Sequence, residues 1–202
     1  EKIFRAAINK VANSDIYTVE MAEFVKTFRE VAMPKGFNHL FLIDYGTLAV
    51  ENAFKVAMDW KVRKLLEAGK ISKGDAISGK RGTKVIHFHE AFHGRSGYTL
   101  SVTNTHDPNK YQYFAKYGWP RVLNPKITFP LDDHLGEVEW LESVAIKQIK
   151  QAMMDNPDDI CAIIIETIQG EGGDNHFRTE FFKALREIAD ENEVLLIFDE
   201  VQ

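Results

Sequence analysis

The feature that most constrains this chain is the run Leu195, Leu196, Ile197 and Phe198, which is wholly apolar and then meets Asp199. An unbroken apolar run of this length reads as a strand buried on both faces, the kind found in parallel sheets. A carboxylate at the end of such a strand is costly unless something pairs with it, and in open α/β sheets the carboxyl ends of strands are where ligands bind. The run also stands at the end of the 202-residue sequence, where a polar, frayed tail is usual, so it reads as part of a larger protein.

The same theme recurs upstream. Residues 84–89 and 159–166 read as strands, the second an aliphatic run closed by Glu166, while residues 138–154 and 178–192 carry helical periodicity between them and the terminal strand. Phe24, Val25, Phe28 and Val31 recur at helical spacing within residues 17–33, and residues 39–43 read as a further strand. Asp44, Tyr45, Gly46 and Thr47 then form a turn before a long helix over residues 48–68, with Val50, Phe54, Ala57, Met58 and Leu65 as its buried stripe. Residues 69–83, rich in Gly, Lys and Ser, read as an exposed excursion. Residues 111–130, with Pro120, Pro125 and Pro130 and little periodicity, read as an irregular loop on the surface or at an interface. Strands separated by helices imply an α/β fold, a mostly parallel sheet with helices on both faces, and the length suits one large domain.

Composition narrows the function classes. With 45% hydrophobic and 27% charged residues the chain can bury a core, and a formal charge of -5 argues against bulk attraction to nucleic acid. No apolar stretch approaches the length of a membrane span, and the first residues lack a basic segment followed by an apolar one, which points to a cytoplasmic protein. The single cysteine, Cys161, lies in an aliphatic run and reads as a structural thiol. His87, His89 and His93 invite a metal reading, but no carboxylate or thiol pattern completes a coordination set, so no metal is expected.

Several residues beside these strands carry chemistry. Gly46 and Thr47 open a long helix, where backbone N–H groups and the helix dipole either make an ordinary N-cap or hold a phosphate. Neither a nucleotide P-loop nor a dinucleotide fingerprint is present. Phe92 offers a flat face for core packing or for stacking on a ring. Arg95, beside Gly94, Ser96 and Gly97, either grips a carboxylate through a two-pronged pair or stands exposed. Glu171 sits between Gly170 and Gly172, which allow it to move, and a mobile Glu near a fixed Arg suggests a switchable ion pair. Asp199 is placed to hold a ring nitrogen protonated and make that ring an electron sink, as an aspartate does for pyridoxal phosphate.

Taken in order, four segments span nearly the whole chain: Gly46-Thr47-Leu48-Ala49-Val50-Glu51-Asn52-Ala53, Phe92-His93-Gly94-Arg95, Glu166-Thr167-Ile168-Gln169-Gly170-Glu171-Gly172-Gly173 and Phe198-Asp199-Glu200-Val201-Gln202. Together they resemble the class III aminotransferases of PLP fold type I. Within that family, the stretches from Phe92 to Thr99 and from Gly172 to Arg178 look most like members acting on the terminal amine of lysine, and 4-aminobutyrate enzymes share much of both.

The resemblance implies pyridoxal 5'-phosphate as cofactor. Gly46 and Thr47 would bind its phosphate, Phe92 would stack on the pyridine ring, Asp199 would pair with the ring nitrogen, Gln202 would lie near the ring hydroxyl, and Glu166 would support the pocket. Arg95 would hold the substrate α-carboxylate. Glu171 would act as a gate, pairing with an arginine outside this segment when lysine enters and releasing it for 2-oxoglutarate. The reaction implied moves the ε-amino group of L-lysine to 2-oxoglutarate, giving 2-aminoadipate 6-semialdehyde and glutamate. A sibling activity on 4-aminobutyrate or ornithine, or a non-catalytic binding protein on the same scaffold, are the alternatives. The resemblance further implies a homodimer, and residues 1–202 as part of the large PLP-binding domain. The Schiff-base lysine would lie past Gln202 with the small C-terminal domain, leaving this segment inactive alone and Lys80, Lys84 and Lys116 as surface charges. Tyr45 replaces a smaller residue of many relatives and would narrow the phosphate turn.

Overall fold

The aliphatic run 160–165 dictates the architecture, because a strand with no polar face must be covered on both sides. The computed structural model describes residues 1–8 and 17–202, and in it β3 (Ile160–Glu166) is buried at every position. Around it lie β1 (Lys84–Phe88), β2 (Arg121–Val122) and β4 (Leu195–Asp199), in the order β2-β1-β3-β4. All the pairings are parallel.

Alternation along β3 sends neighbouring side chains into two separate cores. Ala162 and Ile164 pack with Val85 against Val50, Phe54 and Ala57 of α3 (Gly46–Glu67) and Val102 of α5 (Gly97–Val102). Ile163 and Ile165 pack with Ile86 and Phe88 against Ala145 and Ile149 of α6 (Leu131–Asp155) and Phe181, Leu185 and Ile188 of α7 (Thr179–Glu191). The expected α/β sheet with helices on both faces is what the chain forms.

The chain divides into two compact units, Glu1–Leu42 and Ile43–Gln202. In the first, α1 (Lys2–Ile8) and α2 (Val19–Val31) are joined by an ion pair between Lys2 and Glu23 at 3.1 Å. Thr18 caps α2 by accepting the Met21 N–H at 3.2 Å. The helix is where periodicity placed it, yet none of its residues is buried. Among the described residues, no helix is long and apolar enough to cross a membrane.

Three local expectations fail. Residues 39–43 form no strand: they lie outside the sheet, and Phe41 is 71% exposed. An apolar run so short does not make a strand without a neighbour to complete its hydrogen bonds. Residues 69–83 are not simply an excursion, since α4 (Lys73–Ile77) forms there under a reciprocal Ser72–Asp75 capping box and Ile71 is buried. Residues 111–130 are irregular as expected over most of their length but contribute the two-residue β2, too short to show a period, and Trp119 stacks with both Tyr98 and Tyr117.

Phe54 is fully buried under β3, whereas Ile77 is 87% exposed. Phe54→Ala therefore costs the folded protein about 3–5 kcal/mol, and Ile77→Ala stays within about 0.5 kcal/mol of the parent. Denaturant unfolding of the full-length protein measures both.

Candidate functional site

Parallel strands leave the sheet at one common edge, so the segments after β1, β3 and β4 converge there. Register sharpens this convergence. Glu166 and Asp199 are direct partners across β3 and β4, which puts their side chains next to each other on the face covered by α3.

Two neighbouring acids at a dry sheet end need hydrogen-bond donors. Glu166, 1% exposed, accepts the Phe92 N–H at 3.0 Å. Asp199 Oδ2 accepts from Nδ1 of the buried His93 at 2.9 Å. Burial pushes the Glu166 carboxyl up to about 7, with Asp199 adding to the rise and His93 and the Phe92 N–H opposing it. His93, weighed from the sequence only as a metal ligand, is thus the side-chain partner of Asp199. Its position between Phe92 and Gly94 in a motif was the available signal.

The next residue ties this cluster to α3. A Cβ on Gly94 would fall 2.2 Å from the Thr47 hydroxyl, and its φ of +122° is one that side chains rarely adopt, so only glycine fits. Gly46 and Thr47 are thereby brought to the same edge without the preceding strand that the sequence suggested. They form the first turn of α3, where no side chain caps the helix and no acid lies in the first turn. The Thr47 hydroxyl itself faces inward, bonded to Thr99 Oγ1 at 2.8 Å and Ser96 Oγ at 3.0 Å. Ser96 in turn donates to Glu51 at 2.6 Å. The Gly46 and Thr47 N–H groups have no partner among the described residues, and such groups are the natural anion ligands of a helix start. Tyr45 does not narrow the turn, because its side chain points outward at 80% exposed, though its φ of 67° stores backbone strain there.

Beyond β3, Gln169 and Asn175 form an antiparallel bridge that closes the loop carrying Glu171. The fully buried Gln169 accepts from Asn124 and Asn175 through Oε1, at 2.8 and 2.9 Å, and donates to the His89 carbonyl at 3.1 Å. Glu90 joins the same network from Asn124, Lys126 and Asn175. Its carboxyl is held below the usual value: these donors outweigh burial, the largest single influence, which acts to raise it. At the loop tip Glu171 pairs with Lys110, a residue 61 positions away that no local sequence signal singles out. Gln202 lies against Gly170, where a Cβ would meet its amide at 2.3 Å. Arg95 stands apart: it is exposed and makes no ion pair among the described residues.

The remaining candidates have structural roles. Burial pushes the Cys161 thiol up to about 12, leaving it inert. His87, whose burial lowers it to about 3, accepts from Arg121 Nε at 3.0 Å, while His89 is exposed.

Comparison with known proteins bears on this arrangement. The family model for class-III aminotransferases matches residues 2–202. An L-lysine-epsilon aminotransferase of Mycobacterium tuberculosis is 47% identical over 201 residues, covering 100% of this chain and 42% of its own length. One from Streptomyces clavuligerus is 43% identical over 98% of this chain and 41% of its own length. A 4-aminobutyrate aminotransferase of Emericella nidulans reaches 31% over 96% of this chain. The solved lysine aminotransferase of M. tuberculosis superposes with a TM-score of 0.88 over 98% of this chain and 43% of that one. The chain thus spans about two fifths of the length of the relatives it matches.

Glu166 gives the site a signature in stability. A carboxyl raised on folding keeps its proton after the unfolded chain has lost it, so its contribution is complete below 4.5 and is lost as pH climbs through about 7. Relative to the parent, Glu166→Gln should therefore gain stability as pH rises between those values and level off above them. Denaturant titrations across that range check this, and a flat difference would contradict the buried, raised carboxyl.

Proposed function

The chain belongs to the class III aminotransferases, and from that membership we propose that the intact protein transfers the ε-amino group of L-lysine to 2-oxoglutarate, yielding 2-aminoadipate 6-semialdehyde and glutamate. The observation that carries the proposal is Asp199, fixed by His93 at the sheet edge beside Glu166 and linked through Gly94 to the first turn of α3. The lysine donor is favoured over 4-aminobutyrate by identity, 47% and 43% against 31%.

The residues present fit pyridoxal phosphate. An uncapped helix start free of acids suits a phosphate, and Asp199 Oδ1 receives no hydrogen bond among the described residues, leaving it open to a ring N–H. When bound, the cofactor supplies an electron sink for the amine carbon. The chain's own work is electrostatic and positional. Backbone N–H groups of Gly46 and Thr47 would hold the phosphate, Phe92 would stack on the ring and Gln202 would lie near its hydroxyl. Asp199 would keep the proton on the ring nitrogen, with His93 orienting that carboxylate. Arg95, exposed and making no ion pair among the described residues, would take the α-carboxylate of lysine and leave the distal amine to react. Glu171 would serve as the gate between the two substrates.

Residues 1–202 are read as part of the large cofactor-binding domain, with the lysine that anchors the cofactor and the small domain contributed by other sequence. The partner is read as a second copy of the protein. Exposed Tyr113, Phe114 and Tyr117 offer it apolar surface.

Full-length protein given lysine and 2-oxoglutarate should form glutamate, and lysine alone should change the absorbance of the bound cofactor. Asp199→Asn should lower kcat on the order of a hundredfold or more, as expected when one preorganised electrostatic group is removed. No spectral response to lysine, with a response to 4-aminobutyrate, would move the donor to the sibling activity.

A further inference from the structure

Lys110 lies at the end of a short 3-10 turn, Pro108–Lys110, in which the Asp107 carboxylate accepts the Asn109 N–H at 3.1 Å. The Asn104 N–H bonds the Ala91 carbonyl at 2.8 Å, tying the start of this segment to the loop that carries Phe92. The Lys110 ammonium stands 5.9 Å from the centre of the Phe92 ring and pairs with the Glu171 carboxylate. An aromatic face, a cation and the mobile acid therefore meet at the same sheet edge as Asp199.

We propose that Lys110 is a positioning residue that holds the Glu171 carboxylate aside while a dicarboxylate occupies the site, and so helps set selectivity for the acceptor substrate. This deepens the reading above and rests on it for the identity of the acceptor. A dicarboxylate brings two negative charges into a cleft that already contains an acid. An unpaired Glu171 would repel it, and at short range in a partly desolvated site that repulsion is not negligible. Engaging Glu171 with Lys110 cancels the charge without moving the loop, whose base is locked by Gln169 and Asn175. The pair itself is easily exchanged, since its side chains are 30% and 41% exposed and such pairs are weak. A lysine substrate carries its own cation and does not need the acid held away.

Glutarate, a dicarboxylate without a reactive carbonyl, reports binding independently of turnover. Its affinity for the full-length holoprotein is measured by calorimetry in the parent, Lys110→Met, Lys110→Arg, Glu171→Gln and the Lys110→Met/Glu171→Gln double variant. Lys110→Met should weaken glutarate about threefold to fivefold at low salt, the range open to an exposed pair. Lys110→Arg should restore most of the loss, and the loss should shrink as salt rises. In the Glu171→Gln background, where no carboxylate needs holding, Lys110→Met should have no effect. Loss of affinity that persists in that background would mean that Lys110 binds the ligand directly, and would overturn the proposal. Unchanged affinity in the single variant, or a parent that does not bind glutarate, would overturn it too. Failure of lysine as amino donor, with this coupling intact, would instead count against the donor assignment alone.

Discussion

Two carboxylates set side by side at the end of a buried parallel ladder are the constraint on which the rest of the site depends. The register of β3 and β4 leaves Glu166 and Asp199 no freedom to separate, and burial on the α3 face denies Glu166 water and leaves Asp199 little. They are satisfied only if donors come to them, and those donors are the Phe92 N–H and His93 Nδ1. Because the two are consecutive residues, satisfying the acids fixes the path of the chain after β1. The next residue, Gly94, then presents a surface without Cβ against which Thr47 can pack. An electrostatic requirement at the sheet thus determines where the N-terminus of a 22-residue helix stands.

A second device governs the Glu171 loop, and it separates what is rigid from what can switch. The base is held by buried amide hydrogen bonds in which Gln169 uses both ends of its side chain, the kind of fully satisfied network that fixes one geometry. Gly172 packs where a Cβ would strike the Glu90 carbonyl at 2.2 Å, so the backbone cannot drift. The tip is held only by a half-exposed ion pair, worth roughly 1 kcal/mol or less. A carboxylate on a fixed backbone with an exchangeable partner can change its electrostatic role by a rotamer change alone. The flanking glycines, which suggested a mobile loop, serve close packing at least as much as freedom.

What could be read from the sequence follows from how far each signal extends. The stripe of α3 and the unbroken aliphatic run of β3 are long enough to declare their period, and the parallel sheet follows from them. The apolar stretch over residues 39–43 misleads because strand character is a property of a pair, and nothing local reveals that no strand among the described residues pairs with it. β2 is invisible for the opposite reason, having a partner but only two residues. Among the candidate residues, those placed at a strand end or a helix start were legible as such: Glu166, Asp199, Gly46. The inward turn of the Thr47 hydroxyl, the His93 bond and the Lys110 pair all join residues 49 or more positions apart, and such contacts leave no local trace.

The two acids are also made unequal, in depth and in hydrogen-bond partner. Glu166 sits deeper, takes only a backbone N–H, and bears the rise caused by burial and by its neighbour. Asp199 lies at the more open position, with an imidazole against one oxygen and no hydrogen bond to the other among the described residues. When like charges are forced together, the proton goes to the group whose charged form is least well solvated. Glu166, the deeper of the two, takes that burden. A site with both acids equally buried would share the proton and present no defined charge to a ligand. The depth difference across one strand pairing is therefore enough to turn a costly coincidence of register into a directed electrostatic group.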